Sequence, residues 1–147
     1  MTAKTRKFII GAVVLIPILL GIAIYLPSLL TSRIAAYETS AFTSMLSLYN
    51  AEMKFHSQTG IGRYGSLEEL GAAGLIDADV ARGIKNGYRF EIITSGNFFQ
   101  AYATPIVYGR WGLKASGSRS FFTNEDRLLT EADKNGARAG PEDEVIE

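Results

Sequence analysis

The chain has 147 residues, no cysteine and a formal net charge of zero. Without cysteine there is no disulfide framework, no thiolate nucleophile and no thiolate metal site. Three of the 15 basic residues, Lys4, Arg6 and Lys7, precede a long apolar run, leaving 12 basic against 15 acidic residues beyond it, and that acidic remainder has no electrostatic footprint for nucleic acid.

The apolar run is Phe8 to Leu30, 23 residues without a charge. As a helix it covers ~34 Å, enough to cross a hydrocarbon core of ~30 Å. A cleaved secretory signal is the competing reading. Its apolar region is usually about 7–15 residues, and a cut after Ala36 would put Ile34 where a small residue is needed. The run therefore reads as a retained anchor, with membrane lipid as its first partner. Lys4, Arg6 and Lys7 sit just before it and only Arg33 lies close after it. The positive-inside rule predicts a single pass through the cell (inner) membrane, with a cytoplasmic N-terminus and the remainder periplasmic or extracellular. Three regions follow: 1–30, cytoplasmic tail and transmembrane helix; 31–132, one extracytoplasmic domain with a modest core; and 133–147, a polar tail expected to be disordered.

Beyond Pro27 neither Gly nor Pro interrupts the sequence until Gly60. Apolar residues recur at Ile34, Ala41, Met45, Leu48 and Phe55, with a second row at Phe42, Leu46, Tyr49 and Met53. That spacing predicts one helix from the membrane to about Ser57, lipid-facing in its first half and domain-facing in its second. Pro17 and Pro27 each remove a helical hydrogen bond and are candidate kinks. Gly60, Gly62 and Gly65 mark a loop. Ser66-Leu-Glu-Glu69 reads as a capping box opening a short helix to about Ala73, stopped at Gly74. Asp79 to Ile84 reads as a further turn with Asp79 as its N-cap.

From Tyr88 the period changes to two. Tyr88–Thr94 and Phe98–Thr104, joined through Ser95-Gly96-Asn97, form a predicted hairpin ended by Pro105. Arg119–Thr123 and Leu128–Thr130 form a second. The fold class is α+β: a long N-terminal helix, membrane-spanning in its first half, packed on a roughly four-stranded antiparallel sheet.

Leu26-Pro-Ser-Leu-Leu-Thr-Ser-Arg33 followed by Ala35-Ala-Tyr-Glu38 resembles the end of the membrane half of type IV pilins and type II secretion pseudopilins. Gly65–Leu70, Gly74–Asp77, Gly83–Tyr88 and Arg119–Thr123 resemble segments of the same family in the same order. The resemblance covers most of residues 8–130. It implies a pilin-like fold in which the helix is a filament spine and the domain its outer surface. The implied partners are other pilin-like subunits or pilus and secretion assembly proteins. Pro27 then matches the family's helix proline, and Ala35, Ala41, Met45 and Leu48 form the expected packing and assembly face. In that register Thr5 stands where prepilin cleavage uses Gly, Arg6 at the new N-terminus, and Ile10 where assembly uses an acid. The chain thus has a pilin's length and proline without its processing residues. A non-polymerising, membrane-tethered binding module is the second reading, using a Gly-punctuated loop in which Tyr108 and Trp111 are candidate partner contacts.

No catalytic set emerges, and no cofactor or metal is expected. His56, the single histidine, falls at a helix end near Glu52. Asp77 with Asp79, and Asn124, Glu125 and Asp126, lack the spacing of a calcium loop and read as a helix cap and a β-turn. Gly60-Ile-Gly-Arg-Tyr-Gly65 matches G-x-G-x-x-G but follows a helix rather than a strand, which fails the dinucleotide context. Tyr64 is expected to pack over the sheet. Ser66 and Ser120 have no His-and-acid context for a nucleophile. Tyr88, Phe90, Phe98, Tyr102 and Phe121 read as core and cross-strand aromatics.

Overall fold

The computed structural model describes residues 3–59 and 61–146, with side chains from Val13 onward. The side chains of Lys4, Thr5, Arg6, Lys7 and Ile10, and the whole of Gly60, lie outside the described residues. Helix α1 spans Ala3–Gln58 and continues through Pro17 and Pro27. It is long and apolar enough to cross a membrane. From Val13 to Leu29 its large apolar side chains are exposed, so this stretch has no protein core of its own.

At Ile34, only 5% exposed, the environment changes. Ile34, Glu38, Ala41, Met45, Leu48, Glu52 and Phe55 are all buried. Their alternating steps of four and three average 3.5 residues, so they form one stripe along α1. Ala35, expected on this face, is exposed. Six residues from Ala35 to Ala41 rotate it off the stripe, whereas seven from Ile34 to Ala41 make nearly two full turns. In the second row Phe42 and Tyr49 pack against the core, while Leu46 and Met53 are each 37% exposed.

The chain then reverses through Ile61 and Gly62, both with positive φ. Helix α2, Leu67–Ala72, carries the predicted capping box between Ser66 and Glu69, and Gly74 ends it at φ +66°. Helix α3, Ala78–Ala81, has Asp77 as its N-cap. This corrects the reading of Asp79 as the cap: Asp77 Oδ1 accepts from the Asp79 amide at 2.8 Å, which puts Asp79 in the first turn.

Six strands follow in sequence order as one antiparallel meander: β1 Ile84–Lys85, β2 Tyr88–Ser95, β3 Phe98–Pro105, β4 Ser120–Asn124, β5 Leu129–Ala132 and β6 Glu144–Val145. The α+β layout is as expected. All four predicted strands are present, as β2 to β5. The two added strands lie at the sheet's edges and have two residues each, too few for a period-two pattern. Asn86-Gly87 closes the first hairpin with both residues at positive φ, the turn that Asn-Gly favours.

Helix α1 lies across one face of the sheet, against β3 and β4. Phe99, Ala101 and Ala103 of β3 are fully buried there. The two alanines keep the strand low, and the larger Met45 and Leu48 of α1 fill the space between. On β4 the burial is continuous from Ser120 to Thr123, because both faces are covered. Residues 133–146, expected to be frayed, lie along the sheet instead. Arg138 stacks on Tyr102 at 4.8 Å and Tyr102 packs on Phe122. Thr130 Oγ1 donates to the Gly140 carbonyl at 2.7 Å, and Ala139 is 2% exposed. Polar composition marks the segment as solvent-facing, yet its end pairs with β5 and its middle is held by the Arg138, Ala139 and Gly140 contacts, which composition does not register.

Met45→Ala is expected to lower the unfolding free energy by about 2–5 kcal/mol, since it leaves a cavity under the sheet. Leu46→Ala, one residue along but part-exposed, is expected to cost less than half of that. Near-UV circular dichroism of thermal or denaturant melts in detergent micelles measures both.

Candidate functional site

Two of the seven stripe positions are acids. Each is met by loop backbone, Glu38 by the segment entering β4 and Glu52 by the loop that follows α1. Glu38 is buried where α1 enters the domain. Its Oε1 accepts from the Ser118 amide at 2.8 Å, the Ser118 hydroxyl at 3.2 Å and the Arg119 amide at 3.3 Å. Its Oε2 accepts from Arg119 Nε at 3.0 Å. Arg119 Nη1 then reaches both oxygens of Glu131, at 2.9 and 2.7 Å. One guanidinium thus joins α1 to the start of β4 and to β5. Burial works against the Arg119 charge, but the Glu131 and Glu38 carboxyls outweigh it and raise its pKa. Beside this cluster the Tyr88 hydroxyl donates to the Arg119 carbonyl at 2.7 Å. Gly117 lies so close to the Tyr88 ring that a Cβ there would come within 2.0 Å of its oxygen.

Glu52 is also fully buried, two turns before the helix end. Its Oε2 accepts from the Gly65 amide at 2.9 Å, while its Oε1 has no partner. Burial without a cation in contact pushes its pKa up to about 7; the Gly65 bond and Arg63 pull the other way, and Glu69 adds to the rise. The neighbouring Glu69 is held low, at about 2, by its bidentate pair with Arg63 and by the Ser66 amide. Two acids thus fasten the two ends of the helix face differently, Glu38 through a charged network and Glu52 through a proton-rich carboxyl.

A third tie lies nearer the span. Arg33 Nη2 donates to the carbonyls of Gly112 at 3.2 Å, Leu113 at 2.7 Å and Ala115 at 3.2 Å. It pins the loop between β3 and β4 against α1. On that loop Trp111 is 81% exposed, Leu113 71% and Tyr108 39%. With Ile22, Ala23, Leu26, Pro27, Leu30 and Thr31, the Trp111–Leu113 segment walls a groove of about 460 Å³.

The expected packing residues divide accordingly. Ala41, Met45 and Leu48 are spent on the chain's own core. Pro27 and Ala35 are exposed on α1. Tyr108 and Trp111 share one exposed loop, and Arg110 in that loop pairs with Asp133 at 2.7 Å. Sequence reasoning missed Glu38, Glu52, Arg33 and the Arg119–Glu131 pair as structural groups. The signal for the two acids was present, since each continues the stripe of Ile34, Ala41, Met45, Leu48 and Phe55. The other candidates have local roles. His56 stacks on Tyr64, ring centroids 4.6 Å apart, and Tyr64 packs on Phe99 as expected. Asn124 Oδ1 accepts from the amides of Asp126 and Leu128. Asp79 pairs with Arg82, and Asp77 lies 3.6 Å from Lys85. Among the described residues no three or more His, Asp and Glu side chains are grouped to share a metal ion. The arrangement can hold surfaces together and present a loop.

Glu38→Ala removes four hydrogen bonds and is expected to cost about 2 kcal/mol or more of stability, because bonds to charged groups contribute about 1.5–3 kcal/mol each where they are buried. Amide exchange at Ser118 and Arg119 is expected to accelerate with it. Glu52 gives a pH signature. A carboxyl whose folded pKa exceeds its unfolded value binds its proton more tightly in the native chain. Its contribution is complete below about pH 4.5 and drains away as the pH rises through about 7. The melting temperature of the native chain minus that of Glu52→Gln is therefore expected to fall between pH 5 and 8, and a pH-independent difference would refute the assignment.

Comparison of the chain with protein-family models, with characterised proteins and with solved structures finds no match.

Proposed function

We propose that this chain is a pilin-like, single-pass membrane protein serving as a structural or assembly component of a type IV pilus or type II secretion apparatus. It works through protein contacts rather than chemistry. Its N-terminus lies in the cytoplasm and its domain in the periplasm or outside the cell, in keeping with the basic flank at Lys4, Arg6 and Lys7. Its partners are membrane lipid and other pilin-like subunits or assembly proteins.

The observation that carries this reading is the continuity of α1. One helix of 56 residues is exposed and apolar from Val13 to Leu29 and becomes the backbone of a packed domain from Ile34. A tether for an independent domain needs only a flexible linker at that junction, whereas a helix without a break fixes the domain's height and orientation relative to the span. Such rigidity is what stacking of spans side by side requires. Ala35, Leu46 and Met53, which the domain leaves exposed along α1, are available to neighbouring subunits.

A second reading, a non-polymerising tethered binding module, is favoured by one feature. The span from Phe8 to Leu30 contains no acid. A carboxyl in lipid seeks a partner such as a neighbouring chain's amine; this span lacks that drive. The absence of cysteine makes the test direct, since a single introduced thiol is the only one in the chain. Leu15→Cys, oxidised in native membranes, is expected to give disulfide-linked pairs. Paired with a second thiol at Leu29→Cys it is expected to give a ladder. Monomer alone, with an intact Met1 by mass, supports the tethered module. Loss of the span by cleavage after Ala36 overturns both.

A further inference from the structure

We infer that the loop from Gly109 to Lys114 is a second membrane contact. It forms a foot that enters the outer leaflet beside the span, and the groove between them holds a lipid acyl chain. This rests on the reading of α1 as a membrane anchor and adds to it a fixed attachment of the domain.

The height of the loop is set by α1. Ile22 and Arg33 are eleven residues apart, about 16 Å along a helix. The groove reaches from Thr31 down to Ile22, so Trp111 and Leu113 stand beside the outer third of the span, not above it. When Phe8 to Leu30 occupies the bilayer, these side chains enter lipid with it. The groove walls are almost wholly apolar. They continue the surface of a span that is exposed all round from Val13 to Leu29, so whatever solvates the span reaches the groove as well. A lipid chain meets that description without a further component.

The chemistry around the loop matches the boundary of a bilayer. Trp111 and Leu113, the two most exposed large apolar side chains of the loop, are flanked by the exposed Lys114 and by Arg110, whose guanidinium is paired with Asp133. An indole with a cation such as Lys114 beside it is the composition that collects at the headgroup level, apolar ring inward and charge toward phosphate. Arg33, at the top of the groove, spends one guanidinium nitrogen on three loop carbonyls. This ties the loop backbone to α1 beside the span. In water the exposure of Trp111 at 81% and Leu113 at 71% would be unfavourable; in the outer leaflet it becomes burial.

Trp111 is the only tryptophan in the chain, so its emission reads its own surroundings. The full chain is reconstituted into phosphatidylcholine–phosphatidylglycerol vesicles with bromine on the acyl chains either near the headgroups or near the bilayer centre. A Trp111→Phe, Leu19→Trp chain serves as the reference for the middle of the span. The expected result is that Trp111 loses most of its emission to shallow bromines and less to deep ones, while the residue 19 reporter shows the reverse. If the residue 19 reporter is unquenched by either lipid, the anchor reading itself fails and the foot with it. If that reporter is quenched but Trp111 keeps a red emission open to aqueous iodide, the anchor stands and the foot is overturned. A blue-shifted Trp111 indifferent to bromine marks a protein segment in the groove, such as a second copy's span, and overturns the lipid assignment.

Discussion

The structure depends on one helix carrying two kinds of surface. From Val13 to Leu29 the large side chains of α1 stand exposed, and from Ile34 a stripe is buried, flanked by Ser44, Ala51 and the part-buried Phe42 and Tyr49. No linker or cap intervenes. The changeover is made by side chains on the helix itself: Arg33 draws in the loop before β4, and Glu38, little more than a turn later, draws in Ser118 and Arg119. Because the helix is stiff on this scale, the position of every strand relative to the span is set by where those contacts fall along it.

The stripe shows why acids belong there. A wholly apolar stripe would bury more surface but would leave the amides of Gly65, Ser118 and Arg119 without acceptors as the loops close over the helix. Unpaired buried amides are costly. Glu38 and Glu52 supply those acceptors from the helix side, and they also fix register, since a carboxyl meets its amide at one position only. The two differ in what balances them. Glu38 has a guanidinium shared with Glu131; Glu52 has one amide and an unpartnered oxygen, so it keeps its proton to about pH 7.

Small residues govern the remaining packing. Ala101 and Ala103 on β3 let Met45 and Leu48 settle between helix and sheet, and Gly71 lies so close to Ala81 that α2 and α3 pack almost backbone to backbone. On the far face the C-terminal segment covers Phe122 and Tyr102, with Arg138 stacked on the tyrosine ring. The sheet therefore has no broad uncovered apolar face. Among the described residues, the longest continuous run of exposed large apolar side chains is on the span, with others on the loop carrying Trp111, on the outer row of α1, and singly at Ile61, Ile84, Ile93, Phe98 and Val145.

Much of the fold was legible because it rests on local rules. An uncharged run of 23 residues, the change from helical to alternating period at Tyr88, the capping box at Ser66 and the turn at Gly96 are each written within a few adjacent positions. The sequence by itself determined the long helix, the four main strands and the apolar stripe. What it did not carry was partnership at a distance. Glu38 and Arg119 are 81 positions apart and Arg33 and Leu113 are 80 apart, and nothing in either neighbourhood names the other. The same holds for the edge strands, which exist only because β2 and β5 are there to pair with them. Tertiary structure alone decided which amides and which guanidinium the two stripe acids meet, that the polar tail is held to the sheet, and that Trp111 hangs beside the span. Each of those outcomes depends on hydrogen bonds and excluded surface between segments that meet only after the chain has folded.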